Sequence, residues 1–251
     1  MTPLSPEILT ELARYDTPTI CNVIELCGYR SYCSGFLNHT IRAIYPELPP
    51  VVGYAVTATF RSAQPAAPDE RPIGMPDQLA RFESIPGPRI VVIQDLDDPP
   101  VGAVYGEVMT SGYKAFGCVG LVTNGFARDI LQVRAMNFPC FASGVSVSHG
   151  YSRILSVNEP VTVGGVRIQP GDLLHGDANG VTTIPIEIAE RVAKACAEFV
   201  AAEDLVISTA RQPGVTLEKY REAFAEFRRR RDAITQALGG KPKPGSGAAG
   251  V

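Results

Sequence analysis

Hydrophobic and polar positions follow two rhythms along this chain, and each change of rhythm marks an element. Ser5 to Tyr15 reads as a first helix, capped by Ser5 with Pro6 in its first turn, and Thr17-Pro18 starts a second helix reaching about Cys27. Together they predict an N-terminal helical arm over residues 1–30. Residues 31–50 are mixed, until VVGYAVTATF (Val51 to Phe60) gives a partly alternating strand behind a Pro-Pro stop. Gln64 to Pro76 is rich in Pro, Asp and Glu and reads as a surface loop. A short helix from Asp77 to Ser84, a turn at Pro86-Gly87-Pro88 and the strand RIVVIQDL follow. That strand is apolar without alternation, so both its faces must be covered, which places it inside a sheet.

After Asp97-Asp98-Pro99-Pro100 comes GEVMTSGYKAFGCVGLVTNGFARD, Gly106 to Asp129. Gly106 and Glu107 open a helix to about Phe116, Gly117 stops it, and Cys118 to Thr123 form a buried strand. Asn124-Gly125 then turns the chain, and Arg128-Asp129 arrive past the strand's carboxyl end, where open α/β sheets hold their ligands. A helix from Ile130 to Met136 and a strand PCFASGVSV come next. VTVGGVRI predicts a hairpin around Gly164-Gly165, and PGDLLHGDANGVTTIP adds turn, strand, turn and strand, all antiparallel. From Ile186 the helical period returns at Ile188, Val192, Ala195, Cys196, Phe199 and Val200, and it continues past a break at Pro213-Gly214 to about Leu238. The expected layout is an arm (1–30), an α/β/β body (31–185), a C-terminal helical arm (186–238) and a disordered tail (239–251).

Composition narrows the classes. The chain has 251 residues, 45% of them hydrophobic, enough to bury a core, and a net charge of −3 that leaves no electrostatic footprint for nucleic acid. Arg228 to Arg231 form a basic run that reads as a solvated helix face. No apolar stretch approaches the ~18 residues of a membrane span, and the first residues lack a leader pattern, so no membrane partner and a cytoplasmic location are expected. The six cysteines form no CxxC pair and read as reduced packing residues.

The chemistry concentrates in the central unit. Glu107, the helix-start amides of Val108 and Met109, Arg128 and Asp129 can surround one small volume, with two carboxylates for a hard cation and a cationic site for an anion. Asp129 is either a metal ligand or part of a structural salt bridge, and Glu107 either a ligand or a first-turn acid set against the helix dipole. Asp177 in HGDANG reads as a turn former, and His149 and His175 as loop histidines without zinc spacing. No GxSxG elbow, phosphate loop or dinucleotide fingerprint occurs.

Gly106-Glu107, Lys114, Gly117, Gly120, Asn124-Gly125 and Arg128-Asp129, followed by PCFASGVSVSH and PVTVGGVRIQPGDLLHGDANGVTTIP, resemble the RraA-like family over roughly Thr17 to Asp204. That family holds the regulator of ribonuclease E activity A and the class II 4-hydroxy-4-methyl-2-oxoglutarate aldolases. The resemblance implies an α/β fold, an αββα layered sandwich with a swivelling β/β/α-type body, assembled as a homotrimer or homohexamer with sites at subunit interfaces. It implies that Asp129 ligates Mg²⁺ or Mn²⁺, that Glu107 holds metal-bound water, and that Arg128, Gly106 and the Val108 and Met109 amides bind a 2-oxo acid. It also implies an acid from a neighbouring copy's C-terminal helix, Glu203 or else Asp204. Two positions depart from the pattern: Glu107 stands where the aldolases usually carry Asp, and Gln132 where they carry an acid.

The implied reaction is cleavage of a C–C bond of a 2-oxo acid, by retro-aldol or decarboxylation, through a metal-stabilised pyruvate enolate. Lys114 reads as a surface residue of the central helix rather than a Schiff base. The alternative is a non-catalytic ring that binds and regulates a ribonuclease or another protein. Residues 64–76 and 146–151 are the expected lining of the substrate's variable end.

Overall fold

The structure, a computed structural model, describes residues 3–240, so the expected tail lies outside the described residues except for Gly239 and Gly240. In chain order the elements are α1 (Pro6–Leu12), α2 (Thr17–Leu26), β1 (Arg42–Ala43), β2 (Val51–Arg61), α3 (Met75–Phe82), β3 (Arg89–Asp95), β4 (Ala103–Tyr105), α4 (Glu107–Ala115), β5 (Cys118–Thr123) and β6 (Phe126–Ala127). Then follow α5 (Ile130–Ala135), β7 (Cys140–Ala142), β8 (Gly144–Val145), β9 (Arg153–Val157), β10 (Val161–Val163), β11 (Val166–Ile168), β12 (Leu173–Asp177), β13 (Gly180–Ile184), α6 (Ala189–Ala210) and α7 (Leu217–Ala237). The described residues fall into two compact units. One combines residues 3–17 with Cys33–Ile186, and the other combines Pro18–Tyr32 with residues 187–240, so α1 and most of α2 belong to different units.

The first unit is α/β. Its large sheet runs β1-β7-β5-β3-β2-β12-β13. The inner strands β7, β5, β3 and β2 are parallel, β1 and β12 flank them antiparallel, and β13 pairs antiparallel with β12. β2 is long enough to take two partners along the edge away from β3, β12 at Val51–Tyr54 and β9 at Ala58–Arg61. Both faces of the sheet are covered, as the unbroken apolar run of β3 predicts. Val56, Phe60, Val91, Ile93 and Leu121 pack with Phe82 of α3 and Tyr113 of α4. Ala55, Ile90, Val92 and Val122 pack with Val161, Val163 and Ile168 of the β10–β11 hairpin. Each Val, Leu, Ile or Phe among them, fully buried, contributes about 1.5–3 kcal/mol.

Beside it lies a small parallel sheet, β4-β6-β8. Its strands of two or three residues are too short to carry a period, so the sequence predicts neither β4 nor β6. The single strand expected over PCFASGVSV is in fact two. Cys140–Ala142 joins the large sheet and Gly144–Val145 the small one, while Ser143 between them turns back to donate to the Gly125 carbonyl.

Three local readings are corrected. Ser5 is the N-cap of α1, but its hydroxyl caps nothing; its carbonyl accepts from the Ile8 and Leu9 amides. Cys118, Cys140 and Cys196 are buried packing residues, whereas Cys33 is exposed. His175 is no loop residue: it sits in β12 with none of its surface exposed. Its Nδ1 meets the Thr17 hydroxyl at 2.9 Å and its Nε2 the Leu12 carbonyl at 3.2 Å. The neighbouring Asp177 forms the expected turn by accepting from the Asn179 amide, and it also accepts from the Thr17 amide at 2.8 Å.

The second unit is helical. α6 buries Val192, Ala193, Cys196, Phe199 and Ala202, and Phe199 meets Phe227 of α7 edge-on at 6.4 Å. α7 opens on Thr216, whose hydroxyl accepts from the Lys219 amide. In the basic run, Arg229 and Arg230 pair with Glu226, Arg231 pairs with Asp232, and Arg228 lies over the Phe224 ring. Among the described residues no helix is long and apolar enough to cross a membrane.

The Leu12 carbonyl beside Nε2 can only accept, so that nitrogen donates to it. Burial holds the His175 pKa below its ordinary value. A histidine whose folded pKa is lowered contributes stability that is present above its unfolded value of about 6.5 and lost as pH falls below it. Thermal unfolding is therefore expected to show stability declining below about pH 6.5, and His175→Gln to flatten that dependence. An unchanged acid slope in the variant would rule the histidine out as its source.

Candidate functional site

β4 and β6 run side by side, and the Arg128 amide extends their pairing by donating to the Tyr105 carbonyl at 3.1 Å. The two chains then leave the small sheet together, one into α4 at Gly106-Glu107 and the other into α5 at Arg128-Asp129. Their junction is the Asp129 carboxylate, whose Oδ2 accepts from the Glu107 amide at 2.9 Å. The Asp129 carbonyl meanwhile accepts from the Val133 amide at 2.9 Å, so a single residue starts both helices. To do so it adopts φ 56°, ψ 47°, a left-handed conformation that Asp tolerates better than most side chains.

Gly106 is extended, with φ −152°, so its backbone would suit any residue; space is what requires glycine. A Cβ there would stand 2.5 Å from Asp129 Oδ2 and 3.4 Å from Arg128 Nε. Arg128 Nε lies 3.7 Å from Asp129 Oδ1, and it is buried without a hydrogen-bond partner while the two side chains remain about one-third exposed. The first intrahelical donor of α4 is the Thr110 amide, which reaches the Gly106 carbonyl at 3.0 Å. The amides of Val108 and Met109 therefore precede it, at the positive end of the helix dipole. Val108 is exposed, and Met109 packs on the core.

Gly106, the first turn of α4, Arg128 and Asp129 thus converge as the sequence predicts. The two acids meet through the Glu107 amide, and the Glu107 side chain is exposed. Among the described residues no three acidic, His or Cys side chains gather to hold a metal ion. Glu203 and Asp204 lie on α6 in the second unit. Lys114 is exposed and donates to the Met136 carbonyl, His149 is an exposed loop residue against the Gly150 carbonyl, and Gln132 is exposed on α5.

Two residues near the site escape the sequence reading. Asp95 is buried at the end of β3, and burial, helped by the Asp97 charge, pushes its pKa up to about 6 against the opposing pull of the Asp97 amide hydrogen bond and of Arg61. Asn124, read only as a turn residue, clamps the Asp95 backbone. The available signal was position, since both stand at carboxyl ends of parallel strands.

Residues 17–183 match the model of the RraA-like family, described as aldolase/RraA. Protein DlpA of Legionella pneumophila is 27% identical over 221 residues, covering 87% of this chain and 34% of that protein. A Halalkalibacterium halodurans protein named as a candidate 4-hydroxy-4-methyl-2-oxoglutarate aldolase is 39% identical over 107 residues, 42% of this chain and 50% of its own. The chain thus spans between 34% and 50% of the length of these two curated relatives. Among solved structures, an uncharacterized Pseudomonas syringae protein superposes with a TM-score of 0.70 at 26% identity, covering 88% of this chain and 95% of that one. RraAS2 of Streptomyces coelicolor, described as an unusual member of the RNase ES inhibitor RraA protein family, shares the fold with a TM-score of 0.63 at 21% identity, covering 81% and 97%.

Asp129→Ala removes a charged cap and leaves a β-carbon in the left-handed region, whereas Asp129→Gly removes the cap alone. Chemical denaturation is expected to find the alanine variant about 1–3 kcal/mol less stable than wild type and the glycine variant about 1 kcal/mol better than alanine. Equal stabilities would mean that the left-handed geometry carries no cost at this position.

Proposed function

The chain belongs to the RraA-like family, and from that premise we propose that it is a lyase that cleaves a C–C bond of a 2-oxo acid, by retro-aldol cleavage of a 4-hydroxy-4-methyl-2-oxoglutarate type substrate, by decarboxylation of oxaloacetate, or both. The observation that carries this reading is Arg128 Nε, a buried cationic donor without a partner, held beside a carboxylate at the open end of a helix. A buried unpaired donor is costly, and the carboxylate of a small anion would satisfy it. The relative named as a candidate aldolase supports the same class.

In this reading Arg128 and the Val108 and Met109 amides hold the substrate carboxylate, and Asp129 and Glu107 supply oxygens to Mg²⁺ or Mn²⁺. Glu203 from a second copy of the chain completes the set in a trimer or hexamer. A bound divalent ion supplies Lewis-acid stabilisation of the negative charge that grows on the 2-oxo oxygen. Arg128 adds fixed positive charge beside it, already oriented before the bond breaks. The exposed Glu107 carboxylate takes the proton of the 4-hydroxyl through a water. As C4 becomes a carbonyl, the C3–C4 electron pair passes into the pyruvate enolate, and the same proton returns to C3. Asp129 keeps the site open by filling the Glu107 amide, so that incoming anions meet the next two amides instead.

Pyruvate release from oxaloacetate and from 4-hydroxy-4-methyl-2-oxoglutarate tests this, with Mg²⁺ or Mn²⁺ and again with EDTA. Turnover is expected only with metal, to vanish in Asp129→Ala, and to fall about 10²–10³-fold in kcat for Arg128→Lys. Turnover that survives EDTA or the loss of Asp129 would overturn the mechanism. No turnover and no binding of either metal would overturn the lyase reading itself.

A further inference from the structure

The Arg128–Asp129 pair is delivered by a knot at the carboxyl ends of β3 and β5. The Asp95 amide donates to Asn124 Oδ1 at 2.8 Å, and Asn124 Nδ2 donates to the Asp95 carbonyl at 2.8 Å. A side chain thereby extends the β3–β5 pairing beyond its last backbone pair, Ile93 with Thr123. The Asp95 side chain is held in turn, its Oδ1 accepting from the Asp97 amide at 3.0 Å. Its Oδ2 is buried without a partner and faces Gly125, where a Cβ would stand 3.0 Å from it and 2.3 Å from Val104 Cγ2. Gly125 is thus wedged between β4 and the Asp95 carboxyl, and its carbonyl accepts from both the amide and the hydroxyl of Ser143. β6 starts at the next residue and ends one residue before Arg128.

We propose that Asp95 and Asn124 are positioning residues, which set where Arg128 and Asp129 arrive through the wedged Gly125, and that Asp95 does so as the un-ionised acid. An ionised Oδ2 would bring an unsolvated charge against the turn with no donor to meet it. Burial opposes that charge, and Asp97 adds to the opposition. The Asp97 amide on Oδ1 and, less, Arg61 at the end of β2 pull the other way, while β4 and the β5–β6 turn present Val104, Asn124 and Gly125, none of which ionises. A carboxyl whose folded pKa is raised to about 6 stabilises the fold less as pH climbs from its unfolded value of about 3.9 through 6. The pair should therefore be held most firmly on the acid side.

Amide hydrogen exchange over residues 126–133, expressed as protection factors from pH 5 to 8, tests this without substrate or metal. Failure of the lyase reading would therefore leave the result untouched. Asn124→Ala is expected to lower protection there about ten- to thirtyfold, with β2 unchanged, through loss of two hydrogen bonds. Asp95→Asn, which mimics the neutral acid, is expected to be better protected than wild type across this range, by about tenfold more at pH 7.5 than at pH 5. A silent Asn124→Ala would overturn the knot. An Asp95→Asn difference that is constant with pH, or a loss of protection in that variant at every pH, would overturn the neutral acid.

Discussion

One carboxylate reaching from the start of α5 to the first amide of α4 is the contact on which the site depends. Asp129 satisfies a helix-start donor that would otherwise need water, and it does so from a left-handed backbone that also begins its own helix. The same geometry leaves no room for a side chain at Gly106 and turns Arg128 inward beside it. Charge, strain and close approach meet within four residues, Gly106, Glu107, Arg128 and Asp129, as they do where a structure holds itself ready for a ligand.

The rest of the first unit makes that readiness possible. Four parallel strands buried on both faces form the platform on which the site is built. The small β4-β6-β8 sheet is too short to be stable by itself and is fastened to that platform by Asn124, Gly125 and Ser143. The order of support runs from large sheet to knot, from knot to small sheet, and from small sheet to Arg128 and Asp129. A fold so arranged separates stability, which resides in β2, β3 and β5, from the candidate site, which lies at their carboxyl ends.

Much of this was legible in the chain, for identifiable reasons. The apolar run RIVVIQD announces an interior strand because a strand covered on both faces has no polar face to show. Gly164-Gly165 announces a hairpin because both residues take positive φ, and Gly117 ends α4 in the same way. Glu107, Arg128 and Asp129 stand out because charge at helix starts and strand ends must be answered by something. His175 shows the opposite case. Its flanking glycine and acid resemble a loop, yet β12 pairs it between β2 and β13, and Thr17 and Leu12, remote in sequence, satisfy its ring.

Sequence alone determined the α/β class, the order of the main elements and the residues that converge at the site, since these follow from period, turn chemistry and local charge. Only tertiary structure decided that Asp129 caps α4 across the fold and that Gly106 is glycine for want of space. It also decided that PCFASGVSV is split between two sheets, and that Asp95 is buried against Gly125. Each of these depends on which distant backbone passes within 3 or 4 Å, and no local pattern encodes that distance.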